Sequence, residues 1–288
     1  MNLSVIIISF KSNHLIKKIL KNIPKKYQVV IVENSRANSI KKYQKKNKNV
    51  EIIIPSENLG YAKGFNEALK KCKNKMILTL TPDVLVKKNL FSKLENILKN
   101  FKDFTLLAPE YKNQKIYKNF TPFNNERLSN IKLNKYRVTK VREIDWCFCI
   151  INRNKVKTLK LLDENYFMYF ETIDLCKNLI NKKHKFYIIK GLTFDHLGTS
   201  SSKEKFKNEI LLNRNWHFSW SKFYFFKKNN NYFYAVRKVI PNIYQNLIGI
   251  IISLIKMNIF NAKLHLASLS GILNGMFFNK SYYRPNIK

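Results

Sequence analysis

Four acids and one histidine stand where side chains of those types could meet a ligand. Glu33 closes the run Val32-Glu33-Asn34-Ser35. At a strand end its carboxylate could accept hydrogen bonds from a base or a ribose, although a solvated strand-end acid is the plainer use. Asp83, in Leu80-Thr81-Pro82-Asp83-Val84, is presented on a stiff turn after an apolar run; its structural alternative is a helix N-cap. Glu171 and Asp174 lie three residues apart at the opening of a helical segment, Glu171-Thr172-Ile173-Asp174-Leu175, and so share one face. Acids there also complement the helix dipole. His196, in Phe194-Asp195-His196-Leu197-Gly198-Thr199-Ser200, follows an apolar run and precedes a loop of small residues, and a lone histidine is more often structural than a ligand.

These residues need elements to position them, and the apolar pattern supplies candidates. Runs of strand length alternate with helix-period segments through the first two thirds, the pattern of a largely parallel sheet covered by helices. The predicted strands are 3–9, 29–33, 50–54, 76–80, 105–108, 144–152 and 186–189. In 61–71 the apolar residues Tyr61, Phe65, Ala68 and Leu69 fall at three- and four-residue steps, one buried helical stripe entered through the turn Asn58-Leu59-Gly60. In open α/β sheets the ligand binds outside the carboxyl ends of the strands. The first such turn, Ser9-Phe10-Lys11-Ser12-Asn13, has no glycine, and neither G-x-G-x-x-G nor G-x-x-x-x-G-K-[ST] occurs. A nicotinamide enzyme and a P-loop NTPase are therefore not expected.

From about Phe206 the texture becomes aromatic and helical, with Trp216, Phe218, Trp220, Phe223, Tyr224, Phe225 and Phe226 crowded together. An amphipathic helix is predicted from about Tyr234 to Met257. Its densest apolar stretch, Leu247–Ile255, is well short of the roughly 20 residues needed to cross a bilayer. The division expected is a sheet domain over 1–205 and a helical, basic region over 206–288.

Composition narrows the partners. The chain has 288 residues, 45% of them hydrophobic, with 54 Lys+Arg against 18 Asp+Glu, a net charge of +36. That field favours nucleic acid, anionic lipid or phosphorylated substrates. Seven Gly and seven Pro argue against a disordered or collagen-like chain, and four Cys without C-x-x-C spacing read as reduced core thiols rather than a disulfide or zinc framework. The opening Leu3-Ser4-Val5-Ile6-Ile7-Ile8 reads as a buried strand, not a signal peptide, so a cytoplasmic location is expected.

The order and spacing of four blocks resemble the bacterial family-2 glycosyltransferases, in particular their rhamnosyltransferase-like branch. They are Ser4-Val5-Ile6-Ile7-Ile8-Ser9-Phe10 with Val30-Ile31-Val32-Glu33-Asn34-Ser35; Glu57-Asn58-Leu59-Gly60-Tyr61-Ala62-Lys63-Gly64-Phe65-Asn66; Leu80-Thr81-Pro82-Asp83-Val84; and Leu162-Asp163-Glu164 through Glu171-Thr172-Ile173-Asp174-Leu175-Cys176 to His196-Leu197-Gly198. The resemblance covers some two thirds of the chain and implies a GT-A-type α/β fold, a mostly parallel nucleotide-sugar-binding sheet flanked by helices. It further implies that Ser9, Glu33, Asn58, Gly60, Asn66 and Asp83 contact a nucleotide-sugar donor. Asp83 would replace the metal-binding acid of the D-x-D turn, and His196 would help hold Mg²⁺ or Mn²⁺ or the diphosphate. The family's E-D-x-D-L block deprotonates the acceptor hydroxyl; with Thr172 at its second position, Glu171 is the first choice for base and Asp174 the second.

The activity so implied is inverting transfer of a hexose, rhamnose or a similar sugar, from a nucleotide diphosphate to a hydroxyl of a surface-glycan acceptor that is lipid-linked. The enzyme would be peripheral at the inner face of an anionic cytoplasmic membrane, with no specific nucleic acid as partner. Two rivals are a basic nucleic-acid-binding protein, using the aromatics of 216–226 for stacking, and an inactive membrane scaffold, suggested by Thr172.

Overall fold

In the computed structural model the described residues are 2–113, 117–123, 130–133, 135–197, 204–285 and 287. Gly198, which ends the fourth block, and the small residues Thr199 and Ser200 after it lie outside them. The strands are β1 (Leu3–Ser9), β2 (Gln28–Glu33), β3 (Val50–Ile53), β4 (Met76–Leu80), β5 (Val84–Leu85), β6 (Leu106–Tyr111), β7 (Phe120–Thr121), β8 (Asn130–Leu133), β9 (Tyr136–Val141), β10 (Glu143–Ile144), β11 (Phe148–Asn152) and β12 (Phe186–His196). The helices are α1 (Asn13–Asn22), α2 (Lys41–Lys46), α3 (Gly60–Lys71), α4 (Lys88–Asn100), α5 (Glu171–Asn181), α6 (Lys207–Asn229), α7 (Tyr232–Ile255) and α8 (Ile259–Met276).

The residues form two compact units. The first comprises Met1–Leu59, Lys63–Leu162 and Leu175–Ser202; the second comprises Gly60–Ala62, Asp163–Asp174 and Lys203–Lys288. A boundary drawn along the sequence near residue 205 does not separate these pieces, because two short segments from the first two thirds pack with the C-terminal helices.

The first unit is built on a sheet ordered β3-β2-β1-β4-β11-β6-β12-β9-β8, with β5 paired to β12. β3, β2, β1 and β4 are parallel, whereas β11 runs antiparallel to both β4 and β6. The sheet is α/β with helices on its faces as expected, but its strand directions are mixed. Alternation in β1 decides the layers: Leu3, Val5 and Ile7 join a core with Ile16 and Ile19 of α1 and Leu90, Leu94 and Ile97 of α4. On the opposite face Gly64 of α3 lies close enough that a Cβ there would sit 3.6 Å from Ile8 and Val32. The predicted run 144–152 is two strands, since Asp145–Cys147 turns between β10 and β11. All four cysteines are buried and free.

The second unit is a helical assembly in which α6 packs on α7 and α8. Asn231 and Asn258 cap α7 and α8, each accepting from the backbone N–H three residues on. Trp216, Trp220 and Phe223 are buried, with the Trp216 and Trp220 indoles donating to Ser270 Oγ and the Asn279 carbonyl. These three aromatics therefore fill a helix interface and are not available for base stacking, whereas Phe218 of the same cluster is exposed.

Candidate active site

Strand order locates the rim of the first unit where ligands are expected. The chain steps outward from β1 to β2 and β3 and then returns to the other side of β1 with β4. A crevice at such a switch point, beyond the carboxyl ends of the strands, is the usual ligand position of open α/β sheets. Directions further along bring more residues to this same edge. The antiparallel β11 begins where β4 ends, with Phe148 opposite Leu80, and β12 runs parallel to β6. Ser9, Glu33, Asp83, Asp145 and His196 therefore share one rim.

Asp83 and His196 are brought together. After β4, the Thr81 N–H donates to the Cys147 carbonyl and Val84 N–H closes the turn on the Thr81 carbonyl. β5 then pairs with the end of β12, His196 opposite Val84, and Leu197 N–H donates to the Asp83 carbonyl. The result is a 3.1 Å approach of His196 Nε2 to Asp83 Oδ1. Asp83 is not an N-cap: α4 begins at Lys88, its capping position is Lys87, and no side chain caps it.

One carboxylate and one imidazole are compatible with a Mn²⁺ whose remaining positions belong to phosphate oxygens and water, whereas a Mg²⁺ would take the carboxylate alone and leave the imidazole to the phosphate. Among the described residues no group of three or more His, Cys, Asp or Glu forms a closed metal cage. The donor set fits a cation shared with a phosphorylated ligand, not a structural metal.

The other rim residues are engaged in shaping the site. Parallel register sets Ser9 beside Glu33, and Ser9 Oγ donates to Glu33 Oε2 at 2.7 Å. Glu33 Oε1 accepts from the Ser35 N–H at 2.9 Å and from the Ser35 hydroxyl. The carboxylate is fully buried, so it orders the turn after β2 rather than reaching out as a free acceptor. Asn34 Oδ1 accepts from Leu59 N–H at 3.2 Å, which ties that turn to the half-buried Asn58 segment. Asn66, expected to line the nucleotide pocket, is also fully buried. Its amide donates to the Leu162 carbonyl at 2.8 Å and its oxygen accepts from the N–H groups of Leu161 and Leu162, both at 3.0 Å. It is a clamp on backbone.

Two rim residues escaped the sequence reading. Asp145 accepts from Cys147 N–H at 2.9 Å and from the Tyr117 hydroxyl, and Tyr111 donates its hydroxyl to the His196 carbonyl at 3.2 Å. Burial, then the charges of Asp145 and Asp83, push the Cys147 thiol well up, which records both carboxylates near the end of β4. Only the break between β10 and β11 could have signalled Asp145, and the sequence hides it inside one apolar run.

Glu171 and Asp174 belong to the second unit, where the segment 163–174 is held by α6. Tyr169 and Phe170, immediately before Glu171, both have positive φ, 69° and 66°, a conformation that costs a non-glycine residue roughly 1–2 kcal/mol. Surrounding contacts fix it. Arg214 Nε donates to the Tyr169 hydroxyl at 2.6 Å, Ser221 Oγ to the Met168 carbonyl at 2.9 Å, and Asp174 N–H to the Phe170 carbonyl at 2.8 Å. Gly60, with φ +72°, meets the same segment: a Cβ there would lie 2.2 Å from the Phe167 carbonyl oxygen. Only glycine permits that approach.

The two acids differ in their surroundings. Asp174 accepts from Lys228 Nζ at 2.5 Å and from Asn229 Nδ2 at 2.6 Å, and Lys228 also bridges to Asp163 at 2.7 Å. Burial opposes charge on Lys228, but the two carboxylates win and raise its pKa. The same burial raises and the Lys228 ammonium more than offsets the Asp163 pKa, which is lowered. Asp174 is thus committed to an ion pair that locks the segment, while Glu171 stands buried at the first position of α5.

The comparisons with known proteins agree with this architecture. The model of glycosyl transferase family 2 matches residues 4–160, just over half of the chain. The low-salt glycan biosynthesis hexosyltransferase Agl10 of Haloferax volcanii is 24% identical over 187 residues, 61% of this chain and 60% of that protein. The chain thus spans about 60% of the length of this curated relative. The mannosyltransferase PcManGT of Pyrobaculum calidifontis, solved with GDP-Man and Mn²⁺, aligns over 96% of this chain and 88% of its own at a TM-score of 0.57 and 11% identity. S. aureus TarS 1–349 aligns over 99% and 93% at 0.50 and 15%. Identities this low speak for the fold, and the family match speaks for descent. With a GT-A-like sheet and the Asp83–His196 pair at its switch-point rim, the chain belongs to glycosyl transferase family 2.

Proposed function

We propose that the protein is an inverting, nucleotide-sugar-dependent hexosyltransferase acting on a hydroxyl of a lipid-linked surface glycan. The observation that carries this reading is the Asp83–His196 pair at the rim of a family-2 sheet. A nucleoside diphosphate gains negative charge as the glycosidic bond breaks, and groups that meet that charge accelerate departure. Asp83 and His196 would hold the divalent cation, which when bound neutralises the diphosphate and polarises its oxygens. The turns ordered by Ser9, Glu33 and Asn34 present their backbone to the nucleoside, and the Asn58–Gly60 segment adjoins them.

Glu171 takes the proton from the acceptor hydroxyl. One carboxylate within hydrogen-bond reach is enough for that step, and attack opposite the leaving group gives inversion in one displacement. Asp174 supports Glu171 through its bridge to Lys228. The donor is a hexose, with a deoxyhexose such as rhamnose as the narrower proposal.

The test is a panel of GDP-, UDP- and dTDP-sugars, scored by mass for hydrolysis and for transfer, with and without Mn²⁺. One donor should be consumed several-fold faster than the rest, and the product anomer should be inverted. Turnover of no donor under any cation, by folded protein, would overturn the reading.

A further inference from the structure

In a water-soluble helical hairpin the apolar stripes turn inward and polar residues face solvent. The α7–α8 hairpin of the second unit is arranged the other way round. Over its C-terminal half α7 exposes Leu247, Ile248, Ile251, Ile252, Leu254 and Ile255, while the residues it buries there are Asn246 and Ser253. The buried polar groups are paired across the hairpin: Asn246 Oδ1 accepts from His265 Nδ1 at 3.0 Å, and Ser253 Oγ accepts from Asn261 Nδ2 at 3.0 Å.

α8 continues the inversion. It buries Ala262, Ser268, Gly271, Ile272 and Gly275 and exposes Leu266 and Leu273. Gly271 and Gly275 lie four apart and face α6, where a Cβ on Gly271 would be 2.2 Å from the Trp216 carbonyl oxygen. Small residues at close helix contacts, polar side chains bonded between helices and aliphatic side chains outward are the packing rules of helices solvated by lipid.

The charge pattern names the occupant. After Glu209 the sequence has no Asp or Glu through Lys288, and that stretch carries 11 Lys and Arg. Arg237 and Lys238 stand exposed before the apolar stretch of α7, and Lys256 and Lys263 after it. We infer that the exposed face of α7 and α8 docks on an anionic lipid bilayer, with the Ile/Leu side chains among acyl chains and the flanking cations at the headgroups. α7 is by length and composition able to cross a membrane. Its densest apolar stretch, Leu247–Ile255, is however only about 14 Å long, about half of a hydrocarbon core roughly 30 Å thick. The helix therefore lies in the plane of the interface, where shallow burial of one face is enough. The inference rests on the hairpin alone and not on the assignment of Glu171 or Asp83.

The experiment is flotation of the full-length protein with vesicles of phosphatidylcholine alone and with about one third phosphatidylglycerol, at low and raised salt. Co-flotation with the anionic vesicles only, weakened by salt, is expected. Ile248→Glu with Ile251→Glu, checked by circular dichroism, should weaken it by about tenfold or more, as the loss of two buried aliphatic side chains demands. The milder pair Ile251→Ser and Ile255→Ser should weaken it less and serves if the first pair misfolds. No flotation of the wild-type protein, or equal flotation of the folded variants, would overturn the inference. So would a wild-type dimer in solution that the variants make monomeric with vesicle binding unchanged, since the face would then be covered by a second copy.

Discussion

Replacing Asp83 by Ala removes a rim carboxylate that caps no helix, so transfer should be lost while the far-ultraviolet spectrum stays near wild type; because Asp83 is buried beside His196, the melting temperature should fall by a few degrees without loss of the fold. A folded variant with near-normal transfer would refute its role. Glu171→Gln keeps the side-chain size but cannot take a proton. Transfer should fall by roughly 10²-fold or more, with donor binding by calorimetry little changed. Asp174→Asn separates the two acids: it should lower the melting temperature through loss of the Lys228 pair. His217 offers a test of a different kind. Its Nε2–H donates to the Tyr283 carbonyl at 2.8 Å and its Nδ1 accepts from Ser281. Burial chiefly, aided by the Arg284 charge, lowers its pKa from 6.5 to about 3. The folded state then binds fewer protons than the unfolded state between those values, so stability rises with pH across that window. From pH 6.5 down to pH 5 the protein should lose about 2 kcal/mol on this account. His217→Gln, which keeps a donor for Tyr283, should flatten that part of the pH profile in urea titrations.

At the scale of elements, the segment 163–174 is where local strain and long-range anchors meet. Gly60→Ala would place a methyl against the Phe167 carbonyl at a positive φ, and should cost about 2 kcal/mol or more and lower transfer, read by melting and by kcat together. Lys228→Met leaves Asp163 and Asp174 without their shared cation. Because Lys228 is partly exposed, the cost should be about 1–3 kcal/mol, below that of a fully buried pair. Some of this element structure was legible in sequence. Strands β1 and β4 match the predicted runs residue for residue, since buried parallel strands read as continuous apolar stretches. The strands β7 to β9 were missed because runs such as Tyr136-Arg137-Val138-Thr139-Lys140-Val141 bury only Val138 and Val141 and carry charge between the apolar residues. The role of Asn66 was equally out of reach. Its partners Leu161 and Leu162 lie 95 and 96 residues away, and its helical position said only that it would face inward or outward.

For the whole molecule, order of motifs along the chain carried the family and the candidate acids, but the different surroundings of those acids came from the fold. Parallel register turned Ser9 and Glu33 into a pair, and the return of β12 beside β5 turned Asp83 and His196 into another. Composition gave the charge, yet only the burial of Asn246 and Ser253 beside exposed isoleucines sets the face of α7 and α8 apart from the rest of the surface.

The close seating of Gly271 on Trp216 has a consequence for biosynthesis. Trp216, Trp220 and Phe223 of α6 are covered by residues of α7, α8 and the segment around Asn279. At about 5–20 residues per second, translation needs several seconds to pass from Asn229 to Asn279. Throughout that interval the nascent chain shows a bare aromatic ridge to chaperones and proteases. A stalled or clipped chain ending near Asn231 would keep that ridge permanently, and should accumulate in inclusion bodies or be degraded instead of working as a smaller, soluble transferase.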